Sequence, residues 1–180
     1  MDTELGDIVF VAHGDTNFKN VFVKKTDDRY YGHMDNFMGV HCLMTALWSG
    51  RLPEKGVRIE ITYGEEDDTY DNTGTIVDFA GARNVMQTLG PNDLVVVIDV
   101  TGTPAENEDF LIEKCSNCQL KAFVRQALEP IEKKHPYKIY DGINFMKLLV
   151  IYKEPLIQLQ IKTKAMHSER KLLTHFSLLL

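Results

Sequence analysis

The sequence predicts an α/β fold: a three-layer sandwich with a mostly parallel mixed sheet and helices on both faces. Two observations point to it. Short runs rich in Val and Ile alternate along the chain with segments whose apolar residues recur at helical spacing. Two of the strand-like runs, 8–12 and 94–98, are also apolar on successive residues, as expected where a sheet is covered on both faces. Ile8, Val9, Phe10, Val11 and Ala12 form the first such run. Residues 36–48 then read as a helix that stops near Gly50. Residues 57–63 place Val57, Ile59, Ile61 and Tyr63 at every second position, which is strand periodicity. Residues 75–89 read as a helix closed by Gly90 and Pro91. Leu94 to Ile98 is the most β-rich run of the chain. Residues 121–128 read as a helix stopped by Pro130, 143–151 as another helix, 157–161 as a strand and 168–180 as an amphipathic helix.

A chain of 180 residues suits one domain with a real core, and no repeat, low-complexity tract or linker divides it. The expectation is a single domain over 1–180. The net charge of -6 and the absence of basic clusters argue against nucleic-acid binding. No apolar run approaches the ~20 residues of a membrane span, and Met1, Asp2, Thr3 and Glu4 do not open a secretory signal. These features point to a cytoplasmic protein with no membrane partner. Three cysteines, an odd number, argue against a disulfide framework.

In open α/β sheets ligands bind beyond the carboxyl ends of the strands. In this chain those positions are rich in metal-ligand residues. His13, Gly14 and Asp15 follow the first strand; Gly32, His33, Met34, Asp35 and Asn36 open a helix. Glu65 and Glu66 follow the strand at 57–63, with Asp67 and Asp68 after them. Asp99 directly follows five apolar residues, and a charge buried there needs a partner or a metal. Met166, His167 and Ser168 follow the last strand.

This order (His-x-Asp, Asp, Glu-Glu, Asp, His) resembles that of the co-catalytic zinc exopeptidase superfamily, in a compact single-domain form without an inserted dimerisation or lid domain. The resemblance rests on Val11 to Asp15, Asp35 to Val40, Ile61 to Glu66, Val97 to Gly102 and Met166 to Glu169. It implies two Zn2+ ions, with Co2+ or Mn2+ as alternatives. Asp35 would bridge the ions, His13 and Asp99 would complete one, and Glu66 and His167 the other. Glu65 would be the general base that activates a bridging water, and Asp15 would accept the second ring N–H of His13. A cis peptide is expected between Asp35 and Asn36. The implied enzyme is a zinc-dependent, aminopeptidase-like exopeptidase acting on a peptide bond. An amidohydrolase for N-acyl amino acids or dipeptides using the same site stays open, as does a metal-binding homologue without activity. A homo-oligomer whose partner subunit supplies pocket walls also fits the compact layout.

Each residue has a plainer reading as well. His13 and Asp15 could form a turn after a strand, Asp35 a helix N-cap, the run Glu65 to Asp68 a solvated acidic loop, and His167 a loop histidine. His33 forms a second His-x-Asp pair with Asp35, but the resemblance does not require it. His41 and His175 read as packing or surface residues, and His135 as a loop residue. Cys115 and Cys118 form a lone CxxC without further ligands nearby, so Ser116 or Asn117 capping a helix is the simpler reading. Arg83, Lys162 and Lys164 are the candidates for holding a substrate carboxylate.

Overall fold

The computed structural model describes residues 6–16, 22–27, 30–66, 69–101, 107–113, 118–140, 156–162, 164–166 and 169–172. The main sheet contains β4 (Val57–Thr62), β1 (Ile8–His13), β5 (Leu94–Thr101), β8 (Leu156–Lys162), β6 (Phe110–Glu113) and β7 (Tyr137–Tyr140), in that spatial order. The first four run parallel; β6 is antiparallel to β8 and parallel to β7. The fold is therefore α/β with a mostly parallel mixed sheet.

Alternation along β1 and β5 divides the core into two layers. Phe10, Ala12, Val96 and Ile98 pack with Met38, Cys42 and Leu43 of α1 (Phe37–Trp48) and Val124 of α3 (Cys118–Leu128). Val9, Val11, Val95 and Val97 pack with Ala82 and Val85 of α2 (Ala80–Met86). Helices thus cover both faces, each burying one stripe: in α1 the stripe is Met38, Gly39, Cys42, Leu43 and Ala46. A second, four-stranded sheet has the order β2 (Val23–Lys25), β3 (Tyr30–Gly32), β10 (Glu169–Leu172) and β9 (Lys164–Met166), with every pair antiparallel. Among the described residues no helix is long and apolar enough to cross a membrane.

The order of connections positions the site. The chain leaves β1 through β2, β3 and α1 to β4 on one side, then passes through α2 to β5 on the other side of β1. Strand order therefore reverses at β1, and such a switch point opens a crevice at the carboxyl end of the strand. His13 is the last residue of β1.

Several elements differ from the sequence expectation. The helix expected over 75–89 spans only Ala80–Met86. The residues before it form a turn, because one carboxylate oxygen of Asp71 accepts hydrogen bonds from the Thr73 and Thr75 backbone and the Thr73 hydroxyl. Ile76 then bridges back to Tyr70. β5 continues past Ile98 to Thr101, because its ladder with β8 runs on through Asp99↔Gln160. Asp99 thus lies within a strand, not after one. Glu169–Leu172 is a strand rather than the start of a helix, held between β3 and β9. The rest of that expected helix, His175 included, and the helix expected over 143–151 lie outside the described residues. β2, β3, β6, β7 and β9 are three or four residues each and too short to give a period.

Gly81 is the close-contact point between α2 and the end of β4. A Cβ there would meet Tyr63 O at 2.5 Å and Tyr63 N at 2.6 Å, both backbone atoms. Gly81→Ala is expected to destabilise the fold by about 1–3 kcal/mol, the usual cost of overpacking. Chemical denaturation should register this as a lower midpoint with an unchanged slope.

Candidate metal centre

Strand alternation places His13 on the same face as Val9 and Val11, and Asp99 on the same face as Val95 and Val97. The β1–β5 register is Val9↔Val95 and Val11↔Val97, so two residues further His13 faces Asp99 across the sheet. Nε2 of His13 lies 3.5 Å from Asp99 Oδ1. Asp35, just before α1, brings Oδ1 to 3.2 Å from the same nitrogen, and Glu65, after β4, brings Oε2 to 3.9 Å. One buried imidazole nitrogen therefore faces three carboxylates from three separate segments. Ligand atoms of His13, Asp35 and Asp99 lie within 4.8 Å of one another, as do those of His13, Glu65 and Glu66. The two groups share His13, not Asp35.

The other ring nitrogen sets the tautomer. His13 Nδ1 is 3.2 Å from the backbone carbonyl of Asp15, which can only accept, so Nδ1 is the donor. The expected acceptor was the Asp15 carboxylate; its Oδ1 is more distant, at 3.6 Å. The carboxylate has a different task. Oδ2 accepts from the backbone N–H groups of Gly64, Glu65 and Glu66 at 3.0, 3.1 and 3.0 Å. Asp15 thus ties the end of β1 to the Glu65–Glu66 turn. Gly64 has φ +72°, a backbone conformation suited to glycine, and lets that turn form.

With Nδ1 donating, the lone pair of Nε2 points at carboxylate oxygens. That arrangement is repulsive unless a cation lies between them. Asp35 Oδ1 shows the same deficit: it is buried and accepts no well-directed hydrogen bond, despite its 3.2 Å approach to Nε2. A divalent metal ion fits this donor set, because neutral imidazole and carboxylate are the ligands zinc takes at catalytic sites. Without a metal, a proton must serve as the cation. Burial opposes a charge on His13, but contacts with Asp35 and Asp99 and the charge of Glu65 outweigh it and lift the pKa from 6.5 to about 11. Burial also raises Glu65, against the opposing charge of His13, from 4.5 to about 7. Asp99 and Glu66 are raised too, in each case mainly by burial.

The cluster borders a cleft lined by Val11, Thr62, Tyr63, Phe79, Ala82 and Val97, with His13, Glu65 and Asp99 at its polar end. The Asp35–Asn36 peptide is cis. Asp35 is not the helix cap: the side chain of Asn36 accepts from Gly39 N. His167 and Cys115 lie outside the described residues. His33 donates its backbone N–H to Phe22 O at 3.1 Å and sets its ring edge-on to Phe22. His41 is exposed on α1. His135 is buried and paired with Asp109 at 3.0 Å, a partner the sequence reading missed. The tie through Asp15 and the caps through Asn36 were missed as well. Only the Asn36–Gly39 spacing, a normal N-cap pattern, left a trace in sequence.

No known family profile matches the sequence, and no curated protein does. Among solved structures, PhTET1-12s, described as a dodecamer in the asymmetric unit, matches with a TM-score of 0.56 at 18% identity. That likeness covers 84% of this chain and 48% of the other, so this chain spans about half of that neighbour's length. The CwlD amidase from Clostridioides difficile, solved in complex with the GerS lipoprotein, matches with a TM-score of 0.48 at 10% identity, over 86% of this chain and 82% of the other. The second likeness is too loose to argue from. The first shows a shared α/β fold.

The proton-binding cluster has a measurable consequence. His13 and Glu65 hold protons in the native chain at pH values where the unfolded chain has released them. Their contribution to stability therefore falls as pH rises, from 4.5 to about 7 for Glu65 and from 6.5 to about 11 for His13. Thermal unfolding in a chelator should show a midpoint that drops between about pH 5 and about pH 9. Added zinc should raise the midpoint most at the alkaline end, where protons compete least for the ligands.

Proposed function

We propose that this chain is a metal-dependent hydrolase of amide bonds, and specifically a di-zinc, aminopeptidase-like exopeptidase. His13, Asp35 and Asp99 would hold one ion; Asp35, Glu66 and His167 would hold the other. The observation that carries this reading is the convergence on His13 Nε2 of carboxylates from the start of α1, the turn after β4 and the middle of β5. The order of motifs in the sequence supports the same residues. Bound zinc supplies Lewis acidity, polarising a substrate carbonyl and making a water acidic enough to ionise near neutral pH.

The chain's own groups do the rest. Glu65 stands beside the ligands with a side chain that is still a quarter open to solvent, at 27% exposure. It takes a proton on its carboxylate and returns it to the departing amine. Asp15 holds the Glu65 backbone, fixing the point from which that side chain projects. The cleft beside it, lined by Val11, Val97, Ala82 and Phe79, gives the site an apolar wall. Arg83 turns its Nε onto the Asp78 carbonyl at 2.8 Å and does not line the cleft. The preference for an aminopeptidase over a carboxypeptidase or deacylase rests on the motif layout, which resembles that of the single-domain aminopeptidases. The reading includes one catalytic unit over 1–180, a cytoplasmic location, and a homo-oligomer in which a second copy completes the pocket.

Glu65→Gln keeps the shape and removes the base. Turnover of aminoacyl amide reporters is expected to fall about 10²–10⁴-fold, while bound metal measured by elemental analysis stays at the wild-type level. His13→Ala and Asp35→Ala are expected to lose metal itself. Full activity in Glu65→Gln would overturn the assignment of the base. Activity confined to N-acyl amino acids would replace the exopeptidase reading with an amidohydrolase.

A further inference from the structure

Asn36 follows the proposed ligand Asp35 and takes no part in the proposed chemistry. It is fully buried, at 0% exposure, and a buried carboxamide requires partners. It has two, on different elements. Oδ1 accepts from Gly39 N at 3.0 Å in the first turn of α1, and Nδ2 donates to Ile98 O at 2.7 Å. Ile98 immediately precedes Asp99. The β1–β5 ladder ends at Val11↔Val97 while β5 runs on to Thr101, and Asn36 takes the Ile98 carbonyl just past that end. One planar amide therefore ties the residue after one ligand to the residue before another.

The surroundings are shaped to that amide. A Cβ at Gly39 would lie 2.3 Å from Asn36 Oδ1 and 2.9 Å from its Cγ and Nδ2. Glycine weakens a helix interior, so a glycine at this point of α1 calls for a packing reason, and the Asn36 side chain is that reason. The tie is also neutral. Asp35 and Asp99 are like charges on separate segments and repel each other. A charged clamp would add to the crowding around His13; a carboxamide does not.

We propose that Asn36 is a positioning residue of the metal centre: through the Ile98 carbonyl it sets the separation of the Asp35 and Asp99 carboxylates, and with it the affinity and coordination geometry of the ion between them. The proposal rests on reading His13, Asp35 and Asp99 as ligands.

Asn36→Ser separates this role from helix capping. Serine still offers an oxygen to Gly39 N and is a good N-cap, but it is too short to reach Ile98 O. Gly39→Ala is the second variant, crowding the amide while leaving every polar group in place. Val124→Ala, in the buried face of α3, is the control for lost stability alone. Zinc affinity is measured by competition with a chromophoric chelator, and coordination geometry by the visible spectrum of the cobalt-loaded chain. The serine and alanine variants at 36 and 39 are expected to bind zinc roughly 10–100-fold more weakly, as for other residues that orient ligands, with shifted cobalt bands. Val124→Ala should bind as wild type with an unshifted spectrum. Wild-type affinity and spectrum in Asn36→Ser would overturn the proposal and leave Asn36 a helix cap. A wild-type chain that binds neither metal would remove the metal reading itself, and this proposal with it.

Discussion

The structure around the site depends on one interaction: a buried imidazole nitrogen that faces carboxylates from three directions. His13 is 6% exposed and Asp99 is 8% exposed, so water does little to spread their charge. Like charges gathered at such a point need a cation, whether a proton or a metal ion. The strong proton affinity of His13 and the raised pKa values of Glu65, Asp99 and Glu66 all express that need. The fold supplies the convergence. β1 lies between β4 and β5, and the reversal of strand order at β1 sends the chain around both sides of His13.

Side-chain-to-backbone hydrogen bonds hold the charged residues in place. The Asp15 carboxylate draws three successive N–H groups of the Glu65–Glu66 turn towards β1. The Asn36 carboxamide joins the start of α1 to β5. α2 closes the inner side: Gly81 N donates to Tyr63 O at 2.8 Å, and Ala80 N to Gly64 O at 3.3 Å. Among the described residues, the proposed ligands Asp35, Glu66 and Asp99 each adjoin a residue whose own partners are fixed, which is what a site needs to hold its geometry while it binds an ion.

Much of this was legible in the sequence, for physical reasons. The apolar runs of β1 and β5 are long and buried on both faces, so composition alone marks them, and a His or Asp at their carboxyl ends stands out. α1 and α3 carry clear apolar stripes. The helix expected over 75–89 is longer than the one formed because Ile76, Val77 and Phe79 continue an apolar pattern, while the turn is set by hydrogen bonds to Asp71 that no periodicity reveals. The second sheet was not seen because β2, β3, β9 and β10 find their partners only in three dimensions. In the site, ligand types were readable, but the Asp15 and Asn36 ties were not. Both are side-chain-to-backbone bonds across 49 to 62 residues of chain, set by where segments meet.

The most direct test of the account is the number of zinc ions bound per chain at neutral pH, measured by equilibrium dialysis with elemental analysis on the wild-type protein. About two tightly bound ions per chain are expected from a co-catalytic site. No binding at micromolar zinc would contradict it and leave the carboxylates around His13 as a proton-binding cluster.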